Sequence, residues 1–318
     1  MSFPIVFIHT GYSDYMEYSL RQAKQTNPDA EIILLGDEAN DRFPFVTHVN
    51  IKDYFKSASE FAKIYKHFST NPYHYELFCI QRWFILKEYM EQNNIEEVFV
   101  CDTDVMIYSN IKDTLVPFKN KIAILKQGEE YSFGISYILK CNISKFCNFI
   151  INSYTNKSDI IKFEEYYKGI IKNKKLGGIS DMTFVENWLT SSCDNKDLLN
   201  MLNVINDSTF DDNINSFLQA GVDNYRFKRN RKSFIWRDKI PFCYNTTLKK
   251  DIRFHIIHCQ GPSKYVMSKY YTGNNFQNKL KLDFKFSIGR IAAYWYKRLR
   301  IRYRFAWLFN IIFKLKSK

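Results

Sequence analysis

Short apolar runs alternate with helically spaced segments through the first 140 residues. Ile5–His9 is brief and rich in β-branched and aromatic residues, which predicts a buried strand. Ser13 is placed to cap a helix running to about Gln25. Glu31–Leu35 predicts a second strand ending at Gly36-Asp37, and Phe45–Ile51 a third. Asp53–His67 and Tyr75–Gln92 have helical spacing, and Glu97–Cys101 returns to strand character. Alternation of this kind argues a mainly parallel sheet with helices on both faces. Farther on, Lys121–Leu125 and Ile135–Leu139 are strand-like, and roughly 143–202 is mostly helical with a break at Gly177-Gly178. Arg253–Ile257 is a further short strand, and no internal repeat or low-complexity linker appears.

Polar residues follow two of these apolar runs. Asp102-Thr103-Asp104 comes directly after Val98-Phe99-Val100-Cys101. The carboxyl end of a buried strand is where open α/β sheets bind ligands. Oxygen ligands at that spacing suit a hard divalent cation carrying phosphates. The alternative reading is a cap or a solvated loop. His258-x-x-Gly261-x-x-Lys264 follows the late strand. Imidazole is a metal ligand, Gly lets a backbone approach phosphate, and Lys supplies a point charge. Alternatively His258 caps a strand and Lys264 is solvated. Taken together, Asp102, Asp104 and His258 make a three-ligand set whose octahedral coordination a diphosphate would complete.

On these residues the sequence resembles the GT-A glycosyltransferases, in particular the group containing glycogenin and the bacterial lipopolysaccharide galactosyltransferases. In that group an Asp-x-Asp after a buried strand accompanies a late His-x-x-Gly-x-x-Lys, often with Pro after the Gly, as at Gly261-Pro262. The resemblance spans roughly residues 3–265 in layout, through local matches. It implies an α/β fold of GT-A (Rossmann-like) type, a mainly parallel sheet flanked by helices. It implies that Asp102, Asp104 and His258 bind Mn²⁺ or Mg²⁺, that Gly261 and Lys264 contact the diphosphate of a nucleotide-sugar, and that Asp102 lies near the ribose. His9, Thr10 and Tyr12 would hold the base, with Gly11 allowing close approach and Tyr12 stacking. Arg82 would reach the donor, a role suited to a guanidinium. Asp181, in Gly177–Thr183, would contact the donor sugar or sit near the reacting carbon, and is the candidate catalytic residue. The Asp-Gln pair common in the group is Asp181-Met182 here, which leaves the polar residue nearest the reaction centre open. Ser180 or Asp181 also lies near a helix N-cap. The resemblance implies retention of configuration; an inverting route with Asp181 as general base is the alternative.

Composition refines this picture at three points. The 318 residues allow one large domain or two, and 46% hydrophobic content is ample for a core. Aromatics reach 17%. Tyr131-Ser132-Phe133-Gly134 is a candidate to line a sugar pocket and Trp188 and Trp236 to stack on an acceptor, with buried aromatic packing the favoured explanation for each. The basic run 226–239 is either a solvated face or a contact for an anionic acceptor.

The net charge of +13 is uneven, because 285–318 holds ten basic residues and no acidic ones, leaving 36 basic against 33 acidic elsewhere. A nucleic-acid enzyme more often carries its charge along a groove in the body, so no nucleic-acid partner is expected. Ile288, Ala292, Trp295, Leu299, Tyr303 and Ala306 fall at helical spacing, although the alternation over Arg298–Phe305 suits a strand. The predicted organisation is a catalytic domain over 1–270 and a basic, aromatic, helical extension over 271–318 that lies on an anionic membrane. Packing of that extension on the body is the alternative. Seven cysteines without a C-x-x-C pair, an N-terminus unlike a signal peptide and the absence of an apolar run of ~20 residues lead to an expected cytoplasmic location, peripheral on the inner face of the membrane.

The expected activity is metal-dependent transfer of a sugar from a UDP-sugar to a hydroxyl of a glycan or glycolipid acceptor, in lipopolysaccharide, capsule or other surface-glycan assembly. Three alternatives compete. A phosphohydrolase would want Thr or Val where Met106 stands, and a nucleotidyltransferase a richer Gly and Arg/Lys loop than Ile8–Tyr12. The third is a membrane-associated binding module with a degenerate site.

Overall fold

β1 (Ile5–Ile8), β2 (Ile32–Gly36), β3 (Thr47–Asn50) and β4 (Glu97–Cys101) pair in parallel in the spatial order β3–β2–β1–β4. The computed structural model describes residues 4–119, 121–128, 130–191, 198–221 and 223–273. After β4 the chain forms β5 (Val105–Ile107), β6 (Ile122–Gln127), β7 (Glu130–Leu139) and β8 (Leu198–Asn200). The last three extend the sheet to seven strands in the order β3–β2–β1–β4–β7–β6–β8, in which β7 alone runs antiparallel to the others.

The period of two along each strand divides the core into two layers. Val6, Ile8, Ile33, Leu35, Val98 and Val100 face one cluster, while Ile5, Phe7, Ile32, Leu34, Phe99 and Cys101 face the other. Because both faces are covered, these strands read as continuous apolar runs. Helix α1 (Tyr15–Thr26) covers the second face through Met16, Leu20 and Ala23. The first face is covered by α2 (Lys56–Ile64), α3 (Tyr73–Gln92), α5 (Lys140–Thr155), α6 (Lys157–Lys172) and α7 (Asp181–Ser191), with the short α4 (Ile111–Thr114) elsewhere. In α3, Leu77, Ile80, Trp83, Phe84, Ile85, Leu86 and Met90 are all buried, so the helix is enclosed on nearly every side. A helix apolar all round is a core helix, and Arg82 therefore enters the protein interior.

From Ser208 to His258 the chain forms short strands outside this sheet. β9 (Ser208–Thr209), β10 (Leu218–Gln219), β11 (Asp223–Asn224), β12 (Phe227–Lys228), β13 (Arg231–Lys232), β14 (Phe234–Arg237), β15 (Ile240–Asn245), β16 (Lys250–Phe254) and β17 (Ile256–His258) follow in the chain. Four of them make a sheet ordered β14–β15–β16–β9, and β17 pairs antiparallel with β5. The β12–β13 and β14–β15 hairpins close through two residues each, Arg229-Asn230 and Asp238-Lys239, all four with positive φ. That is the geometry of type I′ turns.

Several sequence expectations need correction. Asp14, not Ser13, is the N-cap of α1; Ser13 serves it only through a carbonyl that accepts from the Met16 N–H. The Asp53–His67 helix is a 3₁₀ turn, Ile51–Tyr54, followed by α2, since Asn50 caps the turn through the Lys52 N–H. The helical stretch ends at Ser191, and 198–200 is strand β8, because its backbone pairs with β6. β7 begins at Glu130, five residues before the predicted strand Ile135–Leu139, and so takes in Tyr131–Gly134. Among the described residues no helix is long and apolar enough to cross a membrane. The expected basic aromatic extension over 271–318, with its membrane contact, lies from residue 274 onward outside the described residues.

Candidate metal centre

The strand order reverses between β1 and β4, and the crevice at their carboxyl ends holds His9 and Asp102. Asp102 is fixed by its backbone N–H, which donates to the Gly134 carbonyl of β7 at 2.7 Å. A Cβ on Gly134 would lie 2.4 Å from Asp102 Oδ2, so glycine is what admits the carboxylate. Thr103 Oγ1 lies 3.0 Å from His9 Nδ1 and ties the turn to the end of β1.

The β5–β17 ladder brings the second motif to the first. Val105 is opposite His258, and the Cys259 N–H donates to the Asp104 carbonyl at 2.9 Å. Asp104 Oδ1 is then 3.2 Å from His258 Nε2, and Asp104 Oδ2 is 3.1 Å from Lys264 Nζ. Gly261 has φ +56, a left-handed conformation that favours glycine, and opens the 3₁₀ segment Gly261–Lys269 that carries Lys264. One ligand atom each from Asp102, Asp104 and His258 lies within 4.8 Å of the others. Two carboxylates and an imidazole in that arrangement fit Mn²⁺ or Mg²⁺ with further positions left for phosphate oxygens.

On the other side of Asp102, Arg82 bridges two carboxylates. Its Nη1 donates to Asp102 Oδ1 at 2.8 Å and its Nη2 to Asp181 Oδ2 at 2.7 Å. Asp181 also accepts from the Trp83 indole N–H at 3.1 Å and from the Met182 N–H at 3.0 Å. Asp181 begins α7, where its charge meets the positive end of the helix.

Burial would raise the Asp104 carboxyl, but His258 and Lys264 outweigh it and hold it at about 2. Burial likewise pushes His258 down, and Asp104 reverses this to about 9. Asp102 is raised, by burial and then by Asp104, against the opposing pull of Arg82. His9 falls to about 4 through burial and the charge of Lys264. Without a cation, then, Asp104 is matched by an imidazolium and an ammonium. A metal ion held there would have to displace the His258 proton, which is how binding couples to pH at such sites.

The structure thus gathers Asp102, Asp104, His258, Lys264, Arg82 and Asp181, with His9 joined through Thr103. Thr10 is exposed beside them. The loop that includes Gly11 is fastened by residues the sequence did not mark. Asn40 Nδ2 donates to the carbonyls of His9 at 2.7 Å and Gly11 at 3.1 Å, and the Gly11 N–H donates to Asp37 Oδ2 at 2.7 Å. Tyr12 packs on Phe43 with the Arg42 guanidinium 4.2 Å from its ring centre. Trp188 follows the packing explanation: it is buried, with the Phe146 ring at 5.4 Å and Phe133 at 6.1 Å, and belongs to the core rather than to an acceptor platform. Trp236 is 38% exposed, edge-on to Tyr108. The basic run divides, with Lys232 fully buried on Asp211 and Arg231 donating to Ser263 Oγ at 3.2 Å. Trp83 and Asp211 were missed, and Gly134 and Lys232 were marked only as members of the 131–134 segment and the basic run, because their meaning lies in contacts between distant segments.

No family model matches the sequence, and no curated protein matches it. Among solved structures, mouse xyloside xylosyltransferase 1 in its apo form is similar over 65% of this chain and 88% of its own, with TM-score 0.46 and 10% identity. The PaToxG glycosyltransferase is similar over 62% of this chain and 72% of its own, with TM-score 0.37 and 13% identity. The glycosyltransferase GlyE of Streptococcus pneumoniae TIGR4 is similar over 63% of this chain and 45% of its own, with TM-score 0.34 and 12% identity.

Proposed function

We propose that the chain is a metal-dependent glycosyltransferase of GT-A type, moving a sugar from a UDP-sugar to a hydroxyl of a glycan or glycolipid acceptor. The observation that carries this reading is the convergence of Asp102, Asp104 and His258 within 4.8 Å at the carboxyl end of the sheet. Lys264 and Arg82 stand on either side of that group. A bound Mn²⁺ or Mg²⁺ would act as a Lewis acid toward the diphosphate and favour its departure. Lys264 would add positive charge where negative charge grows on the leaving phosphate. Arg82 would orient Asp102 and reach the donor beside it. Asp181 accepts from Arg82, Trp83 and Met182, and so many donors suit a carboxylate that fixes Arg82 or the donor sugar better than one that takes a proton from an acceptor. This favours retention over inversion. A place in surface-glycan assembly, on the inner face of an anionic membrane, completes the proposal and rests on the composition of 285–318.

The test is thermal stabilisation by Mn²⁺ and UDP, each alone and both together, followed by a screen of nucleotide-sugars for metal-dependent turnover. Stabilisation that requires both partners supports the reading. A melting temperature unmoved by any combination overturns it, and stabilisation with no turnover of any donor leaves the binding-module reading in its place.

A further inference from the structure

Behind His258 lies an ion pair that takes no direct part in the proposed metal site. Asp211 and Lys232 are both fully inaccessible, with Nζ to Oδ1 at 2.6 Å. The other oxygen of Asp211 accepts from the backbone N–H of His258 at 2.9 Å. Lys232 Nζ donates in addition to the Asn213 carbonyl at 2.8 Å. The backbone repeats the connection, since the Ile214 N–H donates to the His258 carbonyl at 3.0 Å and the Lys232 N–H to the Ile214 carbonyl at 2.8 Å. On its opposite edge, β17 carries the ladder to β5 and Asp104.

A fully buried ion pair costs desolvation that an apolar pair of the same volume avoids, so stability alone is a weak reason for one. Here both carboxylate oxygens are used, one for the buried ammonium and one for the amide of the residue whose ring faces Asp104. We infer that Asp211, neutralised by Lys232, is a positioning residue that holds the His258 segment at the distance from Asp104 that a metal ion requires. This rests on the proposed metal reading of Asp102, Asp104 and His258. Outer partners that orient a ligand typically alter metal affinity by about 10–100-fold.

The experiment compares two electroneutral variants of the full chain. Asp211→Asn with Lys232→Met keeps an acceptor for the His258 N–H, whereas Asp211→Ala with Lys232→Met removes it. Asp211→Leu with Lys232→Met replaces the second variant if the alanine form does not fold. The readouts are amide hydrogen exchange over 256–260 in metal-free protein and the dissociation constant for Mn²⁺. The clamp predicts wild-type protection and affinity in the Asn form. In the acceptor-free form it predicts faster exchange and Mn²⁺ binding weaker by about tenfold or more. Equal protection in all three proteins overturns the clamp, as does undiminished Mn²⁺ affinity in an acceptor-free form. Exchange that follows the prediction in a wild-type protein that binds no Mn²⁺ upholds the clamp while refuting the metal reading.

Discussion

Asp102 and Asp104 are two residues apart, yet the fold gives them different surroundings. Asp102 is 34% exposed and shares its ion-pair partner, Arg82, with Asp181. Asp104 is 8% exposed and meets two cations, His258 and Lys264. The turn after β4 sends one side chain toward α3 and α7 and the other toward β17. Burial raises Asp102, whereas at Asp104 the two cations overcome burial and hold the group at about 2. An Asp-x-Asp is therefore not a symmetric pair. One member faces the open crevice, and the other anchors the strand that delivers the histidine.

The asymmetry is tested most severely by Asp104→Asn. This substitution removes the anion between His258 and Lys264 as well as a proposed metal ligand. Loss of an outer partner costs about 10–100-fold in metal affinity, and losing Asp104 should exceed that. Titration with Mn²⁺ by calorimetry measures it, and Asp102→Asn in the same assay should cost less. If the Asp104→Asn protein binds Mn²⁺ as the wild type does, Asp104 is structural and the comparison collapses.

Gly134→Ala should come next and touches only the Asp102 arm. The new methyl would stand 2.4 Å from Asp102 Oδ2 and 3.1 Å from its Cγ. Overpacking of this kind costs about 1–3 kcal/mol, and here the carboxylate must give way. We expect metal-dependent turnover of the donor to fall about 100-fold, equivalent to nearly 3 kcal/mol of barrier. The contacts of Asp104 with His258 and Lys264 should remain. A variant as active as the wild type would show that Asp102 does not need its present place.

These two tests also mark what was legible beforehand. β1, β2 and β4 could be read because fully buried parallel strands are uninterrupted apolar runs. Asp102, Asp104, His258 and Lys264 could be read because each follows such a run closely. Residues 198–245 could not, since their hairpins turn at Arg229-Asn230 and Asp238-Lys239 without the glycine that usually signals a type I′ turn. Asp211 was equally silent: it acts on the amide of a residue 47 positions away, and no local pattern encodes that contact. Arg82 was visible as a residue but not as a bridge, because its second carboxylate is 99 positions distant.

A second pair of like residues sharpens the comparison through pH. His255 lies three residues before His258 and behaves oppositely, driven down to about 4 by burial and by Arg253. Its ring contacts Ser109 Oγ at 2.9 Å and Phe210 at 5.1 Å between centres, with no carboxylate among these partners. Between about pH 6.5 and 4 the unfolded chain binds a proton at this site that the folded chain refuses. The stability it contributes is thus complete above about 6.5 and is lost as pH falls toward 4, with about 2 kcal/mol of it lost between pH 7 and pH 5. Unfolding in urea at pH 7 and pH 5, for wild type and His255→Gln, isolates the effect from that of the carboxylates. The variant should lose less stability between the two pH values. An equal loss would mean that His255 is protonated as readily in the fold as outside it.

The smallest effect is expected at the bridge itself. Arg82→Lys keeps the positive charge but offers one ammonium where a planar fork now reaches Asp102 and Asp181 together. Lys and Arg are not interchangeable at such a site. The ammonium would satisfy one carboxylate and leave the other to Trp83 and Met182 or to solvent. We expect about a tenfold fall in kcat/KM for the donor, roughly 1.4 kcal/mol, with Mn²⁺ affinity falling less than in Asp104→Asn, because of the three proposed ligands only Asp102 loses a partner. This split separates the two arms. If Arg82→Lys weakened Mn²⁺ binding as much as Asp104→Asn does, the two carboxylates would form one electrostatic unit. If it changed neither quantity, the Arg82 bridge would serve the packing of α3 against α7 and not the donor.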